Sequence, residues 1–167
     1  LRGLGRVVGA GRSGVSPALP VGVTGVGALG RHHPRHHATL DGAQLQDADL
    51  THANLTGARM LGASLRQTHL RGACLRNADL SHTDLTDADF SGADLSGAHL
   101  YQATLVGTNL EGANLTGCTV YGVSTWDLKL QGAIQSNLVI TPPLESPIQV
   151  DDLEIAQFVY LLLRSAK

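Results

Sequence analysis

From Leu40 to Val120 an apolar residue falls on every fifth position without a slip. The series is Leu40, Leu45, Leu50, Leu55, Met60, Leu65, Leu70, Leu75, Leu80, Leu85, Phe90, Leu95, Leu100, Leu105, Leu110, Leu115 and Val120, seventeen units in one register. Two places before each stands a small residue: Ala in thirteen units, Thr68, Thr83 and Thr108 in three, and Cys118 in the last. Two places after, ten of the seventeen are Gly, and three more are Asp47, Asn77 and Asp87. A fixed period held this long signals stacked identical units. In an α-helix, five residues advance by about 500°, which would spiral the leucines around the axis. In one long strand they would alternate between its two faces. Within a unit, however, the small residue and the Leu are two apart and share one side of an extended segment. Each unit therefore predicts a very short strand, ended by a turn at a residue that tolerates positive φ. Four such corners close a square after twenty residues, and stacked squares pair each strand with the one twenty residues on. The core expected from this folding includes Leu45, Leu50, Leu65, Leu70, Leu85, Phe90, Leu105 and Leu110.

Units such as Ala48-Asp49-Leu50, Ala53-Asn54-Leu55, Ala78-Asp79-Leu80, Ala93-Asp94-Leu95 and Ala113-Asn114-Leu115 carry Ala-(Asp/Asn)-Leu in full. The stretch resembles the pentapeptide-repeat proteins over about half the chain. That resemblance implies an all-β fold, a right-handed quadrilateral β-helix of about four coils across residues 38–122, here with a disordered N-terminal segment and a C-terminal α-helix.

Residues 1–37 hold Arg2, Arg6, Arg12, Arg31 and Arg35, four histidines, nine glycines and no acid. Pro17, Pro20 and the glycines break any amphipathic or membrane-spanning pattern, so the segment is expected to be disordered. The tract His32-His33-Pro34-Arg35-His36-His37 has the donor type for transition metals, but the reading adopted is a solvated lead-in to the first coil. Beyond Gly122 the repeat is read as decaying into a capping segment and Pro-rich connector, residues 123–150, with Thr141-Pro142-Pro143 and Pro147 excluding helix. Residues 151–167 are read as a helix running from about Asp152 to Ser165, with Asp151 and Glu154 as its start signal. Phe158-Val159-Tyr160-Leu161-Leu162-Leu163 is apolar all round, as expected of a helix covered on several sides. Trp126, Phe158 and Leu162 are the candidates for a lid over the last coil or for a homodimer contact. The junction from Val120 to Leu163 is similar to that of a bacterial subgroup whose repeats precede a TIR-like domain. It implies that the chain is the repeat half of a longer signalling or defence protein.

Charge changes this picture only locally, since the whole chain is nearly balanced at −2. Coil two bears Arg59, Arg66, Arg71 and Arg76; coil three bears Asp79, Asp84, Asp87, Asp89 and Asp94. The candidate surface residues are Arg66, Arg71, Arg76, Asp79, Asp84, Asp89 and Asp94. Arg59 and Asp79 share a column, and His69 stands between Asp49 and Asp89. Some bacterial pentapeptide-repeat proteins protect or inhibit gyrase by imitating DNA, which requires acidic stripes along the rod. Here residues 38–122 hold nine acids against four arginines, and the acids of coil three form a ring instead. An arginine belt one coil deep with no aromatic platform does not support nucleic-acid binding. No nucleophile stands beside an orienting base: pairs such as His82 with Asp84 are outward residues of a repetitive surface, and His52, His69, His82 and His99 fall on different columns. No catalytic residue, cofactor, metal, small molecule or membrane contact is expected. Cys74 points outward and Cys118 inward, so no disulfide is expected and the compartment read is cytoplasmic. The function read is a non-enzymatic scaffold or protein-interaction module with a protein partner. The alternative is a DNA-mimic inhibitor or protector of a type II topoisomerase.

Overall fold

The computed structural model describes residues 37–165, with side chains as far as Leu162, so the expectations for residues 1–36 lie outside it. The residue between the small one and the Leu of each unit makes a parallel bridge to its counterpart twenty positions on. Along one side Thr39 pairs with Arg59, Arg59 with Asp79, Asp79 with His99, His99 with Thr119 and Thr119 with Val139. The series from Gln44, Asp49 and Asn54 climb the other three sides in the same way. Backbone bonding follows the unit. Asp79 N–H donates to Ala58 C=O at 2.8 Å, Met60 N–H to Asp79 C=O at 2.8 Å and Gly62 N–H to Ser81 C=O at 2.9 Å, while Ala63 N–H closes the corner on Met60 C=O at 3.0 Å. The corner needs one residue at positive φ. It falls on every fifth position from Gly42 to Asn137, and glycine fills eleven of these twenty places. The other nine are Asp47, His52, Gln67, Asn77, His82, Asp87, Gln102, Asp127 and Asn137, all between +53° and +59°.

The leucines face inward and stack. Leu65, Leu70, Leu85, Phe90, Leu105 and Leu110 are at most 1% exposed, whereas Leu45 and Leu50 are only half-buried because the first coil has no described coil beneath it. Threonine enters the alanine column because its hydroxyl finds a carbonyl. Thr68 Oγ1 donates to Leu45 C=O at 2.7 Å and Thr108 Oγ1 to Leu85 C=O at 2.9 Å; Thr83 Oγ1 turns to Leu80 C=O at 2.6 Å. Among the described residues no buried side-chain nitrogen or oxygen lacks a partner.

Repeat and ladder do not stop at Gly122. Strand β1 (Thr104–Val106) pairs in parallel with β2 (Ser124–Trp126), and Lys129, Ile134 and Val139 bridge to Asn109, Asn114 and Thr119. The coil therefore makes five turns instead of about four. The fifth is disguised because Val123, Leu128 and Leu138 replace Ala, while Thr125 and Gln135 replace Leu. Its corner residues Gly122, Asp127, Gly132 and Asn137 keep the five-residue spacing and the positive φ. The last rung is closed by β3 (Leu138–Val139), which pairs antiparallel with β4 (Gln149–Val150), and by α1 (Leu153–Ser165). An otherwise open strand edge is thus occupied. Asp152, not Asp151, caps α1 by accepting the Ile155 N–H at 2.9 Å; Asp151 instead accepts the Asn137 N–H at 2.7 Å.

Stacked corners also set a steric rule. A Cβ built on Gly107 (φ +66°) would meet the Asp87 carboxylate from the coil below, whereas at Gly92 (φ +65°) nothing lies within 4 Å. Gly92→Ala is expected to lower stability by about 1 kcal/mol through its backbone conformation alone. Gly107→Ala is expected to lower it by roughly 0.5–1 kcal/mol more, an excess that disappears when Asp87 is also Ala. Urea denaturation of the four variants reads this directly.

Candidate interaction surface

Asp or Asn before the Leu has a local task. The N–H of the first corner residue points away from the neighbouring coils and needs an acceptor. The carboxylates of Asp49, Asp79, Asp84, Asp89 and Asp94 accept it from Thr51, Ser81, Thr86, Ser91 and Ser96 at 2.9–3.0 Å. Asn54, Asn109 and Asn114 accept from Thr56, Glu111 and Thr116 at 3.1–3.2 Å. Four of the seven candidate surface residues are therefore tied to their own strand ends. The hydrogen bonds from Thr51 hold the Asp49 carboxyl below its ordinary value. Partial burial pushes Asp84 up, but Thr86 and Arg66 together more than offset it, so its net shift is also downward.

Ion pairs run diagonally, between residues eighteen apart. Arg66 Nη1 reaches Asp84 at 3.1 Å, Arg76 Nε reaches Asp94 at 3.6 Å, and Arg59 Nη2 reaches Asp41 at 2.7 Å. Arg59 and Asp79 do share a column, as the spacing predicts, yet Asp79 is turned to Ser81 and the arginine pairs downward with Asp41. His69 stands in register between Asp49 and Asp89. Arg71 is exposed and has no ion pair among the described residues. Two pairs thus join the arginine belt to the acids of coil three and the third reaches back to coil one, and such exposed pairs contribute about 0–1 kcal/mol each. Cys74 and Cys118 are both free; burial pushes the Cys118 thiol up to about 12, leaving it unreactive. No cluster of three or more His, Cys, Asp or Glu among the described residues could hold a metal ion, and none of their helices is long and apolar enough to cross a membrane.

The fifth coil and α1 form a different kind of surface. Leu153 and Ala156 are buried, with Gln157 and Tyr160 on the same face at helical spacing. Thr125 and Gln135, where the leucine series breaks, hold this face. Gln157 Oε1 accepts from both the N–H and the hydroxyl of Thr125, and Gln135 Oε1 accepts the Leu153 N–H at 2.9 Å. An aromatic column adds to the attachment. Tyr101 and Tyr121 stack at 5.6 Å, His82 meets Tyr101 edge-on at 5.3 Å, and Tyr160 meets Tyr121 edge-on at 4.9 Å.

Trp126 is no lid. It points outward from β2 with 76% of its surface exposed, because alternation along the strand turns Thr125 inward and its neighbours out. On α1, Phe158 is 62% and Leu162 52% exposed, so the helix covers the coil with one face and shows an apolar outer face. Of the nine large apolar side chains exposed among the described residues, all but Leu61 belong to residues 126–162. Trp126, Leu128, Phe158 and Leu161 line an open groove of about 480 Å³ with Thr125, Gln157, Asp127 and Glu154. Sequence reasoning finds Trp126 and Phe158 but misses Thr125, Asp127, Gln157 and Leu161. The five-residue spacing of Thr125 and of the corner at Asp127 is the signal that would have extended the coil to this edge.

Comparison with known proteins bears on this architecture. The chain matches the family model for pentapeptide repeats over residues 43–81, 63–100 and 83–120. It is similar to the crystal structure of HetL, a pentapeptide repeat protein involved in heterocyst differentiation regulation from the cyanobacterium Nostoc sp. strain PCC 7120, at 31% identity and a TM-score of 0.60. That match covers 67% of this chain and 52% of HetL, so the chain spans about half of HetL's length. It is also similar to the pentapeptide repeat protein Rfr23 from the cyanobacterium Cyanothece 51142, at 33% identity and a TM-score of 0.51, over 57% of this chain and 82% of Rfr23. No protein of curated function matches the sequence.

Proposed function

The chain belongs to the pentapeptide-repeat family, and on that premise we propose that it is a non-enzymatic bacterial scaffold that presents its C-terminal end to a protein partner. One observation carries the reading: of the exposed large apolar side chains among the described residues all but Leu61 lie in residues 126–162, while the four sides below are polar, with three of their four arginines in ion pairs. Contiguous exposed apolar surface of this kind marks interaction sites. A rigid column of parallel bridges is a suitable mount, since it holds the groove on strand β2 and a docked helix instead of on a loop. DNA mimicry draws no support from the geometry: Asp84 and Asp94 carry arginines, and the acids of coil three ring the rod. From the resemblance of the junction, we also propose that a TIR-like domain continues the protein, which the DNA downstream of Lys167 tests.

The interface is tested by placing a photo-crosslinking amino acid at Phe158 or at Arg71 and irradiating the full chain in lysate of its source organism. Discrete protein adducts are expected from position 158 and not from position 71. Adducts from the arginine belt, or none from 158, would overturn the reading.

A further inference from the structure

The geometry points to a specific chemistry for that partner: the groove between β2 and α1 receives an apolar segment flanked by lysine or arginine. This inference rests on the reading of the C-terminal end as the interface. The groove's apolar floor and wall are Trp126, Leu128, Phe158 and Leu161, and its charged lining is Asp127 and Glu154 with no cation. Asp49, Asp79, Asp84, Asp89 and Asp94 hold corner N–H groups, Asp151 holds Asn137 and Asp152 caps α1. Asp127 and Glu154 accept no hydrogen bond and make no ion pair among the described residues. Asp47, Asp87, Glu111 and Glu145 are also uncommitted among the described residues, but of the uncommitted carboxylates only Asp127 and Glu154 stand in this groove, beside its apolar side chains. Uncommitted carboxylates therefore sit beside uncommitted apolar side chains. A groove open along a helix suits a segment that lays two or three anchors into it, the mode by which amphipathic helices dock.

A second copy fits less well. A two-fold interface sets the same patch against itself, and residues 122–162 contain five carboxylates and one lysine. Self-association through this end would bring acid against acid, whereas a basic rim on the partner complements it.

Trp126 is the only tryptophan in the chain and lines the groove, so its fluorescence reports occupancy. The full chain would be titrated with a fourteen-residue helical peptide of leucine and lysine, leucines on one face, and with its leucine–glutamate counterpart. The lysine peptide is expected to shift Trp126 emission to the blue, shield it from acrylamide and bind about ten-fold or more tighter, with affinity falling as salt rises. Asp127→Asn with Glu154→Gln should weaken it about five-fold at low salt, and Phe158→Ala with Leu161→Ala should abolish saturable binding with the charges intact. These side chains are exposed and asparagine tolerates the corner at 127, so folding is expected to persist, as circular dichroism would verify. Equal binding of the two peptides, or no loss on removing the carboxylates, would overturn the inference. So would a sedimenting dimer whose Trp126 is already shielded, which assigns the groove to a second copy. If the lysine peptide fails while position 158 still crosslinks to a protein, the interface stands and the basic segment is wrong; if both fail, the functional reading falls too.

Discussion

Deleting Gly92 alone abolishes the cooperative fold, while deleting all of residues 78–97 leaves a folded, shorter protein: these are the expected results, and together they test the architecture most severely. Four bridges join a residue before Gly92 to one after it: Cys74 with Asp94, Asp79 with His99, Asp84 with Thr104 and Asp89 with Asn109. They lie one on each side of the coil, so losing one residue slips the pairing on all four sides. A one-residue slip in extended backbone exchanges inward for outward side chains. Restoring the register would require closing a coil with nineteen residues, at a corner that has lost its positive-φ residue. Removing twenty residues keeps every column. Ala58 would meet Ala98, Met60 would meet Leu100 and Leu70 would meet Leu110, each already an inward residue of the same kind. Arg66 and Arg76 would lose Asp84 and Asp94, which is worth about 0–1 kcal/mol each. Far-ultraviolet circular dichroism and urea melts separate the outcomes; a deletion of Gly92 that still unfolds cooperatively near the parent midpoint would contradict this register.

The repeat made most of this fold legible before any coordinates. Inward and outward positions, the twenty-residue partner and the free cysteines all follow from the spacing of Leu, Ala and Gly. Illegible parts share a physical cause: side chains that answer to something outside their own unit. Thr125 and Gln135 look like decay of the series because their polarity serves α1, a segment some twenty to thirty residues away. The twenty-residue spacing puts Arg59 opposite Asp79, where it stands, but the Asx bond to Ser81 that turns this carboxylate away is not visible in the spacing. His52, Gln67, His82 and Gln102 take positive φ against their own preference, because four corners per coil are imposed by the stack. The acidic candidates illustrate the opposite hazard. Asp79, Asp84, Asp89 and Asp94 attract attention as a charged ring, yet each has a backbone duty that accounts for its presence.

Phe90→Ala is the substitution with the largest expected effect on stability. Phe90 is fully buried in the column of Leu50, Leu70, Leu110 and Leu130, and it is the only aromatic residue in the inward series. Truncating it removes the transfer energy of the ring and leaves a cavity between coils two and four. The backbone cannot collapse into that cavity, because Phe90 N–H is held to Asn109 C=O at 2.8 Å and Asp89 N–H to Thr68 C=O at 3.0 Å. A loss of about 3–5 kcal/mol follows. Leu45→Ala should cost well under half as much, since Leu45 is half-buried in the first coil. Phe90→Leu restores the side chain of the neighbouring rungs and should cost roughly 1–1.5 kcal/mol. Because each coil contacts only its neighbours, stability in such a stack is a sum of local and nearest-neighbour contributions, and a weakened central rung threatens the coupling between the two halves. If coupling holds, the urea midpoint falls at an unchanged slope; if coils one and two separate from four and five, the slope falls as well. A Phe90→Ala protein that unfolds within about 1 kcal/mol of the parent would show that the interior is not closely packed at its centre, contrary to the burial on which the five-turn column depends.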